Sequence, residues 1–323
     1  MANSSTTSTE QLPTQLITEV SSQCDREVSA DFALFVDALT TRFGSSLDAV
    51  LLYGSCLRSG NLDEGIVDLY VIVDDYKKAY SQRHLSVLNA WLAPNVFYLE
   101  VAHGDKTLRA KYAVISTADF GRGAQYWFHS YIWARFAQPS RLLYARDEPT
   151  RQRIYLAIAH AVVTFLESGI KALKAETVNV EEIWTRCLML TYAAELRAEQ
   201  ETRARDLAQL NLDDFTKLTA AAAPALAGLL EGQPDGSYQC LSDNKTRKKA
   251  LWHWRLRRWQ GRVLSILRLS KATITFRDCL DYAAWKIERH TGIQVEITPM
   301  LRRHPVIWGF KVMWQLLRRG AIR

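Results

Sequence analysis

Apolar residues along the chain follow two periods, which predict a region of mixed helices and strands followed by a mainly helical region. In the first region, helical spacing predicts a helix over residues 11–45, with Gly44 as its natural end. Short apolar runs then predict strands over 49–53 and 67–73. The second run is rich in β-branched residues and nearly continuous, which is typical of a buried central strand.

The pattern beyond these strands predicts more helix than strand. A helix over 77–92 and strands over 96–101 and 110–116 complete the first region. The second region has helical candidates over 150–168, 181–209, 213–231 and 246–269.

We therefore predict an α+β fold, with an N-terminal α/β domain, a mostly helical domain and a C-terminal amphipathic helix. The predicted segments are a disordered tail over 1–22, the α/β domain over 23–145, the helical domain over 146–295 and a basic amphipathic segment over 296–323.

Composition narrows the cellular setting. No run of about 18 uninterrupted apolar residues occurs, so we expect no transmembrane helix. The polar N-terminus resembles neither a secretory signal nor an Arg-rich transit peptide. The five cysteines are scattered and never form a CxxC pair, which favours a reducing compartment and hence the cytoplasm.

The charge is unevenly distributed. The net charge is +7, but from residue 245 onward 19 Lys and Arg accompany only four acidic residues, so the preceding chain is net acidic. A basic block of this kind favours binding to phosphate, on nucleic acid or on an anionic membrane.

The candidate chemistry lies at Gly54-Ser55, after the first strand, and at Asp68, at the start of the second. Glycine lets the backbone approach a triphosphate, and the Ser hydroxyl and nearby N–H groups can bind its oxygens. A carboxylate on the neighbouring strand can hold Mg²⁺ against the same phosphates. This arrangement is the pattern of polymerase-β-like nucleotidyltransferases. The alternative is an ordinary turn beside a strand that happens to contain an acid.

One position departs from the nucleotidyltransferase pattern. The common Asp-x-Asp has Tyr70 at its second acid. Glu100, on a following strand, is our candidate for the second Mg²⁺ ligand beside Asp68. The triphosphate and water could also complete the coordination, because Mg²⁺ often takes only one or two protein carboxylates.

Several collinear stretches between about residues 50 and 290 resemble the peripheral, mitochondrial-type phosphatidate cytidylyltransferases. The stretches include 53–55, 67–75, 111–117, 131–139 and 190–197, and the chain looks like a divergent, bacterial-type relative. In that family an apolar or aromatic residue also stands where Tyr70 does. The chain departs from the family at Ala134, Gln138 and Asp278, which leaves the acceptor open.

The resemblance implies a reaction and a set of roles. The enzymes of this family transfer CMP from CTP to phosphatidic acid, giving CDP-diacylglycerol and pyrophosphate. By this resemblance, Asp68 and Lys111 are the predicted catalytic residues. The predicted nucleotide-binding residues are Gly54, Ser55, Arg135, Tyr192, Glu195 and Arg197.

The C-terminal basic block is expected to meet a membrane rather than nucleic acid. A short, apolar, Trp-rich helix flanked by Arg is typical of a segment lying on an anionic membrane. The predicted membrane-associating residues are Arg302, Arg303, Trp308, Phe310, Trp314, Arg318 and Arg319. This places the protein peripherally on the inner face of the membrane. The same helix could instead pack on the enzyme or on an oligomer partner. For residues 245–262 the sequence does not decide between a membrane-binding segment and an ordinary surface of the helical domain.

Two other functions stay open at this point. A nucleotidyltransferase of the same fold could act on RNA, a small molecule or a protein. A degenerate domain could bind nucleotide without transferring it, and lack of a second carboxylate near Asp68 would favour that possibility.

Overall fold

The computed structural model describes residues 12–59, 66–104, 106–195 and 201–275. The helices are α1 (Thr14–Cys24), α2 (Phe32–Phe43), α3 (Ser55–Ser59), α4 (Tyr76–Ala79), α5 (Arg83–Trp91), α6 (Thr117–Gln125), α7 (Trp133–Phe136), α8 (Glu148–Ile170), α9 (Val180–Ala194), α10 (Glu201–Leu210), α11 (Leu212–Ala222) and α12 (Asn244–Thr275). The strands are β1 (Leu47–Tyr53), β2 (Val67–Val73), β3 (Asn95–His103), β4 (Lys106–Ser116), β5 (Arg141–Ala145), β6 (Thr177–Val178), β7 (Leu230–Gly232) and β8 (Tyr238–Cys240). The predicted α+β class is confirmed.

A five-stranded sheet in the order β3-β4-β2-β1-β5 forms the centre of the first region. Strand β2 runs antiparallel to β1 and parallel to β4. The register pairs Tyr53 with Asp68, and Asp68 with Lys111. The end of β1 and the start of β2 therefore lie side by side at one end of the sheet.

The two faces of the sheet bury different cores. One face packs Val71 and Tyr112 with Phe35 of α2. The other face, with Leu51 and Tyr70, belongs to a large core that includes much of α8, α9 and α11. Because side chains alternate along a strand, Asp68 shares the face of Tyr70 and points toward the helical region.

The predicted boundary between residues 145 and 146 falls between β5 and α8, but the hydrophobic core does not divide there. The core cluster that contains Leu51 and Tyr70 also contains Ile158, Trp184 and Trp254. The sheet and the helices are therefore packed together around shared apolar residues.

The N-terminal part differs from the prediction. The single helix expected over 11–45 is two helices, α1 and α2, separated by residues 25–31. Helix α1 buries Leu16 and Val20 in the core shared with the helical region. Residues 12–22 are thus part of the fold rather than of a disordered tail, and residues 1–11 of that predicted tail lie outside the described residues.

Other predicted helix boundaries also differ from those in the structure. The helix expected over 77–92 is split into α4 and α5 at Tyr80, whose backbone is extended and whose side chain is buried. The helix expected over 213–231 ends at Ala222, and the chain continues into a small sheet in the order β6-β8-β7 that the sequence pattern did not predict. The segment 296–323, with its seven predicted membrane-associating residues, lies outside the described residues.

Among the described helices, α8 alone is long and apolar enough to cross a membrane by length and composition. However, 61% of its most apolar stretch is buried within the protein, as expected of a core helix.

Candidate functional site

The turn after β1 brings the backbone against a carboxylate. Gly54 has φ +88°, and a Cβ atom placed on it would lie 2.7 Å from Oδ2 of Asp68. A residue with a side chain would be strained in this conformation and would collide with Asp68. Ser55 follows as the exposed first residue of α3. The predicted pairing of a Gly-Ser turn with an acid on the next strand is therefore a close contact.

Asp68 is held by a cation from the neighbouring strand. Its Oδ1 atom lies 2.9 Å from Nζ of Lys111, and the two side chains are 23% and 46% exposed. The pairing follows from the parallel register of β2 and β4, which sets the two residues side by side. One carboxylate oxygen thus faces an ammonium group and the other faces the Gly54 turn.

Tyr70 occupies the position where a second acid was expected, and its role there is structural. The side chain is fully buried, which raises the pKa of its hydroxyl well above the ordinary value. Nη1 of Arg135 donates a hydrogen bond of 3.2 Å to this hydroxyl. The guanidinium also stacks over the rings of Tyr53 and Tyr131, at 5.3 and 4.5 Å from their centroids. Tyr70 therefore helps fix the position of Arg135.

Two guanidinium groups lie close to the ring of Tyr131. Arg135 is 4.5 Å and Arg268 of α12 is 3.9 Å from the ring centroid. Burial raises the pKa of Tyr131, but the charges of Arg135 and Arg268 outweigh it, and the net pKa lies below the ordinary value. Helix α12 is thereby connected to the aromatic cluster that holds Arg135.

A cavity of about 450 Å³ lies between the sheet and the helices, and Gly54, Asp68 and Arg135 are among the residues that line it. We call the side formed by the sheet and the short segments beside it the sheet wall; its members include Tyr53, Gly54, Ser55, Asp68, Arg135 and Arg141. We call the second side the helical wall; its members include Arg26, Tyr192, Glu195, Arg203, Leu207 and Asp214.

The cavity carries more positive than negative groups. Arg26 forms two hydrogen bonds, of 2.8 and 2.5 Å, with the Asp214 carboxylate. Within the part of the chain that the structure describes, Arg135, Arg141 and Arg203 form no salt bridge. Burial, together with the nearby charge of Arg26, lowers the pKa of Arg141. A site of this size with several such cations suits an anionic ligand such as a polyphosphate.

Most of the predicted nucleotide-binding residues are brought together here. Gly54, Ser55 and Arg135 lie on the sheet wall, and Tyr192 and Glu195, at the end of α9, lie on the helical wall. Lys111 reaches the site through Asp68. Arg197, predicted as a further contact, is outside the described residues.

Glu100 is not brought to Asp68. It lies on the edge strand β3, and β4 separates β3 from β2, so two strand spacings, about 9.5 Å, separate Glu100 from Asp68 across the sheet. Glu100 is also two residues along β3 from Tyr98, the residue level with Asp68. Glu100 instead accepts hydrogen bonds from Tyr98 and Arg109, at 2.8 and 3.2 Å. A shared metal ion would need the two carboxylates much closer together.

The carboxylates at the cavity determine how a Mg²⁺ ion could be held there. Among residues 12–59, 66–104, 106–195 and 201–275, no group of three or more His, Cys, Asp and Glu could hold a metal ion. Asp68 supplies a carboxylate at the cavity, and Glu195 supplies another on the opposite wall. This set fits a Mg²⁺ ion that arrives with phosphate oxygens better than a metal bound by protein alone.

Three of the four arginines that line the cavity were not predicted from the sequence. Arg26 comes from the segment between α1 and α2, Arg141 from β5 and Arg203 from α10. No local motif marks them, because each is a single basic residue in a different part of the chain. Only the packing of the helices on the sheet brings them together.

A tight helix contact supports the helical wall. A Cβ atom on Gly261 of α12 would lie 1.8 Å from the carbonyl oxygen of Ala194 at the end of α9. Glycine therefore lets α12 pack directly on the backbone that leads into Glu195.

No protein-family model and no curated protein matches the chain. Among solved structures, it is similar to a nucleotidyltransferase-like protein from Exiguobacterium sibiricum. The identity is 11%, the likeness covers 91% of this chain and 92% of that one, and the TM-score is 0.27. A likeness at this level says nothing about function. The function must therefore be inferred from the residues that form the site.

Proposed function

We propose that this protein is a magnesium-dependent nucleotidyltransferase whose cavity binds a nucleoside triphosphate against Asp68. The observation that carries the proposal is the contact between the Gly54 turn and the Asp68 carboxylate at an arginine-rich cavity. A close backbone turn, a carboxylate and several cations are the groups that a metal-bound triphosphate requires.

Each residue has a role in this proposal. Gly54 and Ser55 contact the triphosphate, and Arg135, fixed by three tyrosines, offsets its charge. Asp68, with its Oδ2 toward the turn, would hold Mg²⁺, which supplies charge neutralisation on the triphosphate and on the departing pyrophosphate. Lys111 keeps the Asp68 side chain in place. Its ammonium group can turn toward phosphate once the carboxylate binds metal.

The finer proposal is that CTP is the nucleotide and phosphatidic acid the acceptor, at the inner face of a membrane. The support is the resemblance of the motif stretches to phosphatidate cytidylyltransferases. The acceptor's phosphate oxygen attacks the α-phosphorus of CTP, the bond to the β-phosphate oxygen breaks, and pyrophosphate leaves. A phosphate is already anionic at neutral pH, so positioning and charge neutralisation matter more than a strong base.

A second candidate is a module that binds nucleotide without transferring it. Two observations favour this alternative: Glu100 lies two strands from Asp68, and Lys111 neutralises the Asp68 carboxylate. A cavity of this kind can still bind a nucleotide through its arginines without supporting metal-dependent transfer.

One assay distinguishes these possibilities. The full-length protein is incubated with Mg²⁺, phosphatidate vesicles and CTP labelled at the α-phosphate, with ATP, GTP and UTP in parallel reactions. We expect labelled CDP-lipid with CTP and much less product with the other nucleotides. Because Ala134 and Gln138 line the cavity where the chain departs from the family pattern, RNA and soluble phosphomonoesters are included as acceptors.

The outcomes separate the two candidates. Labelled product on RNA or a soluble phosphomonoester alone would keep nucleotidyl transfer and reject the lipid acceptor. Tight CTP binding with no product on any acceptor would instead favour the binding module.

A further inference from the structure

Helix α12 carries a row of exposed apolar side chains along its outer face. Five residues, spaced alternately four and three apart, form this outer stripe: Trp252, Leu256, Trp259, Val263 and Ile266. Their exposed fractions are 58, 39, 65, 38 and 58%. This spacing places all five on one side of the helix, along about 21 Å of its length.

The opposite face of α12 anchors the helix to the protein. Trp254 is buried and donates from Nε1 to the carbonyl oxygen of Ser168 at 3.0 Å. Arg257 donates from Nε to the carbonyl oxygen of Phe128 at 2.8 Å. Gly261 packs against the end of α9. The outer stripe is therefore a second apolar face on a helix whose core-facing side is already packed.

The charge around the outer stripe indicates what can cover it. The sequence of α12 contains no Asp or Glu. Its exposed cations are Lys245, Lys248, Lys249, Arg255, Arg258 and Arg262. A second copy of α12 would bring like charges together, and residues 276–323 are also basic, with nine Lys and Arg to four acidic residues. An anionic partner fits better than either of these.

An anionic partner must also cover aliphatic side chains. Nucleic acid could satisfy the arginines and stack on the tryptophans, but it offers nothing to Leu256, Val263 and Ile266. An anionic bilayer satisfies all three kinds of group, because its headgroups attract the cations, its interface favours tryptophan, and its acyl chains accept the aliphatic residues.

We infer that the outer stripe of α12 docks on an anionic lipid bilayer, with the helix lying along the membrane surface. Docking would bring the cavity to a lipid acceptor, and in this respect the inference rests on the proposed function. Gly261 lies on the side of α12 opposite the stripe and contacts the Ala194 backbone beside Glu195. The docked surface would then be about one helix diameter, roughly 10 to 12 Å, from the helical wall.

The test is co-sedimentation of the full-length protein with phosphatidylcholine vesicles, with and without phosphatidylglycerol, in the absence of nucleotide. The stripe variant combines Trp252→Ser with Trp259→Ser. The matched control is Trp91→Ser on α5, because Trp91 is as exposed as Trp259, at 65%, but belongs to a different helix and is not part of the outer stripe. A charge variant combines Arg258→Gln with Arg262→Gln.

We expect the wild type to bind the anionic vesicles and the stripe variant to bind at least tenfold more weakly, while Trp91→Ser binds as wild type. The charge variant should bind more weakly and with less dependence on salt. Equal binding by wild type and stripe variant would overturn the inference, as would equal binding to neutral vesicles.

Two further results would also overturn it. A wild-type dimer in solution that the stripe variant dissociates would make a second copy the occupant. Wild-type binding to an RNA duplex with no binding to anionic vesicles would make nucleic acid the partner. Vesicle binding is measured without nucleotide, so it succeeds or fails independently of CMP transfer.

Discussion

The two walls of the cavity are built in different ways. On the sheet wall, strand register places Asp68 beside Lys111, and buried tyrosine rings fix Arg135. On the helical wall, positions depend on helix ends and on the partly exposed pair Arg26–Asp214. Under the proposed function, we therefore expect the sheet wall to hold the metal–nucleotide complex and the helical wall to influence which acceptor fits.

The largest effect is expected on the sheet wall from Asp68→Asn. The substitution removes the charge that would hold Mg²⁺ and leaves Lys111 without its partner. We expect the initial rate of nucleotidyl transfer to fall by at least about 100-fold. Circular dichroism and the thermal midpoint serve as controls for folding. A variant that keeps more than about a tenth of the rate would contradict the role of Asp68.

Gly54→Ala tests the close contact on the same wall. The left-handed conformation costs an L-residue about 1–2 kcal/mol, and the new methyl group meets the Asp68 carboxylate. We expect kcat/KM to fall at least about tenfold. The matched control is Gly228→Ala, because Gly228 has a similar φ of +81° but nothing within 4 Å of its Cβ position. Equal losses of activity in both variants would show that strain alone, and not the contact, matters.

Gly261→Ala tests the helical wall. The added methyl group forces α12 away from the Ala194 carbonyl, which we expect to lower the free energy of unfolding by about 1–3 kcal/mol. Activity at low temperature should fall only a few-fold. Chemical denaturation measures the stability, and Gly121→Ala, a helical glycine with nothing within 4 Å of its Cβ position, is the control. A loss of activity as large as that of Gly54→Ala would remove the distinction between the walls.

We expect the contact of Lys271 with the segment before β3 to make the stability of the protein depend on pH. Its ammonium group donates to the carbonyl oxygens of Leu92 and Pro94, before and at the turn into β3. Burial, helped by the charge of Arg268, lowers the pKa of Lys271 to about 7. In the unfolded chain the group titrates near its ordinary value, about 10.4.

The sign of the pH effect follows from these values. Between about pH 7 and pH 10 the unfolded chain binds a proton that the folded chain has released, so this group's destabilisation is full below pH 7 and disappears as the pH rises. We expect the free energy of unfolding of the wild type to increase relative to that of Lys271→Met over this range. Denaturation curves of both proteins at several pH values measure the difference, and parallel pH profiles would contradict it.

The smallest effect is expected from Glu100→Gln. Glu100 lies on the edge strand, away from Asp68, and its partly exposed pair with Arg109 contributes at most about 1 kcal/mol. The transfer rate should change less than about twofold. A loss comparable to that of Asp68→Asn would restore Glu100 as a metal ligand and require a rearrangement of β3.

The parts of the site that the sequence could predict are local in the chain. Gly54 and Asp68 form a recognisable turn and strand start, and their contact follows once the two strands pair. The prediction that Glu100 joins Asp68 as a metal ligand was wrong because it depended on the order of the strands in the sheet. Strand β4 lies between β3 and β2, and apolar spacing along the chain does not reveal that order. Arg141 and Arg203 escaped prediction because only tertiary packing brings single arginines from distant segments to one cavity.

The central claim is that Asp68 binds a metal–nucleotide complex in this cavity. Isothermal titration of CTP into the protein, with and without Mg²⁺, tests it most directly by comparing wild type, Asp68→Asn and Glu100→Gln. The account predicts Mg²⁺-dependent binding by wild type and Glu100→Gln, and at least tenfold weaker binding that no longer responds to Mg²⁺ in Asp68→Asn. Equally tight, Mg²⁺-dependent binding by Asp68→Asn would contradict it.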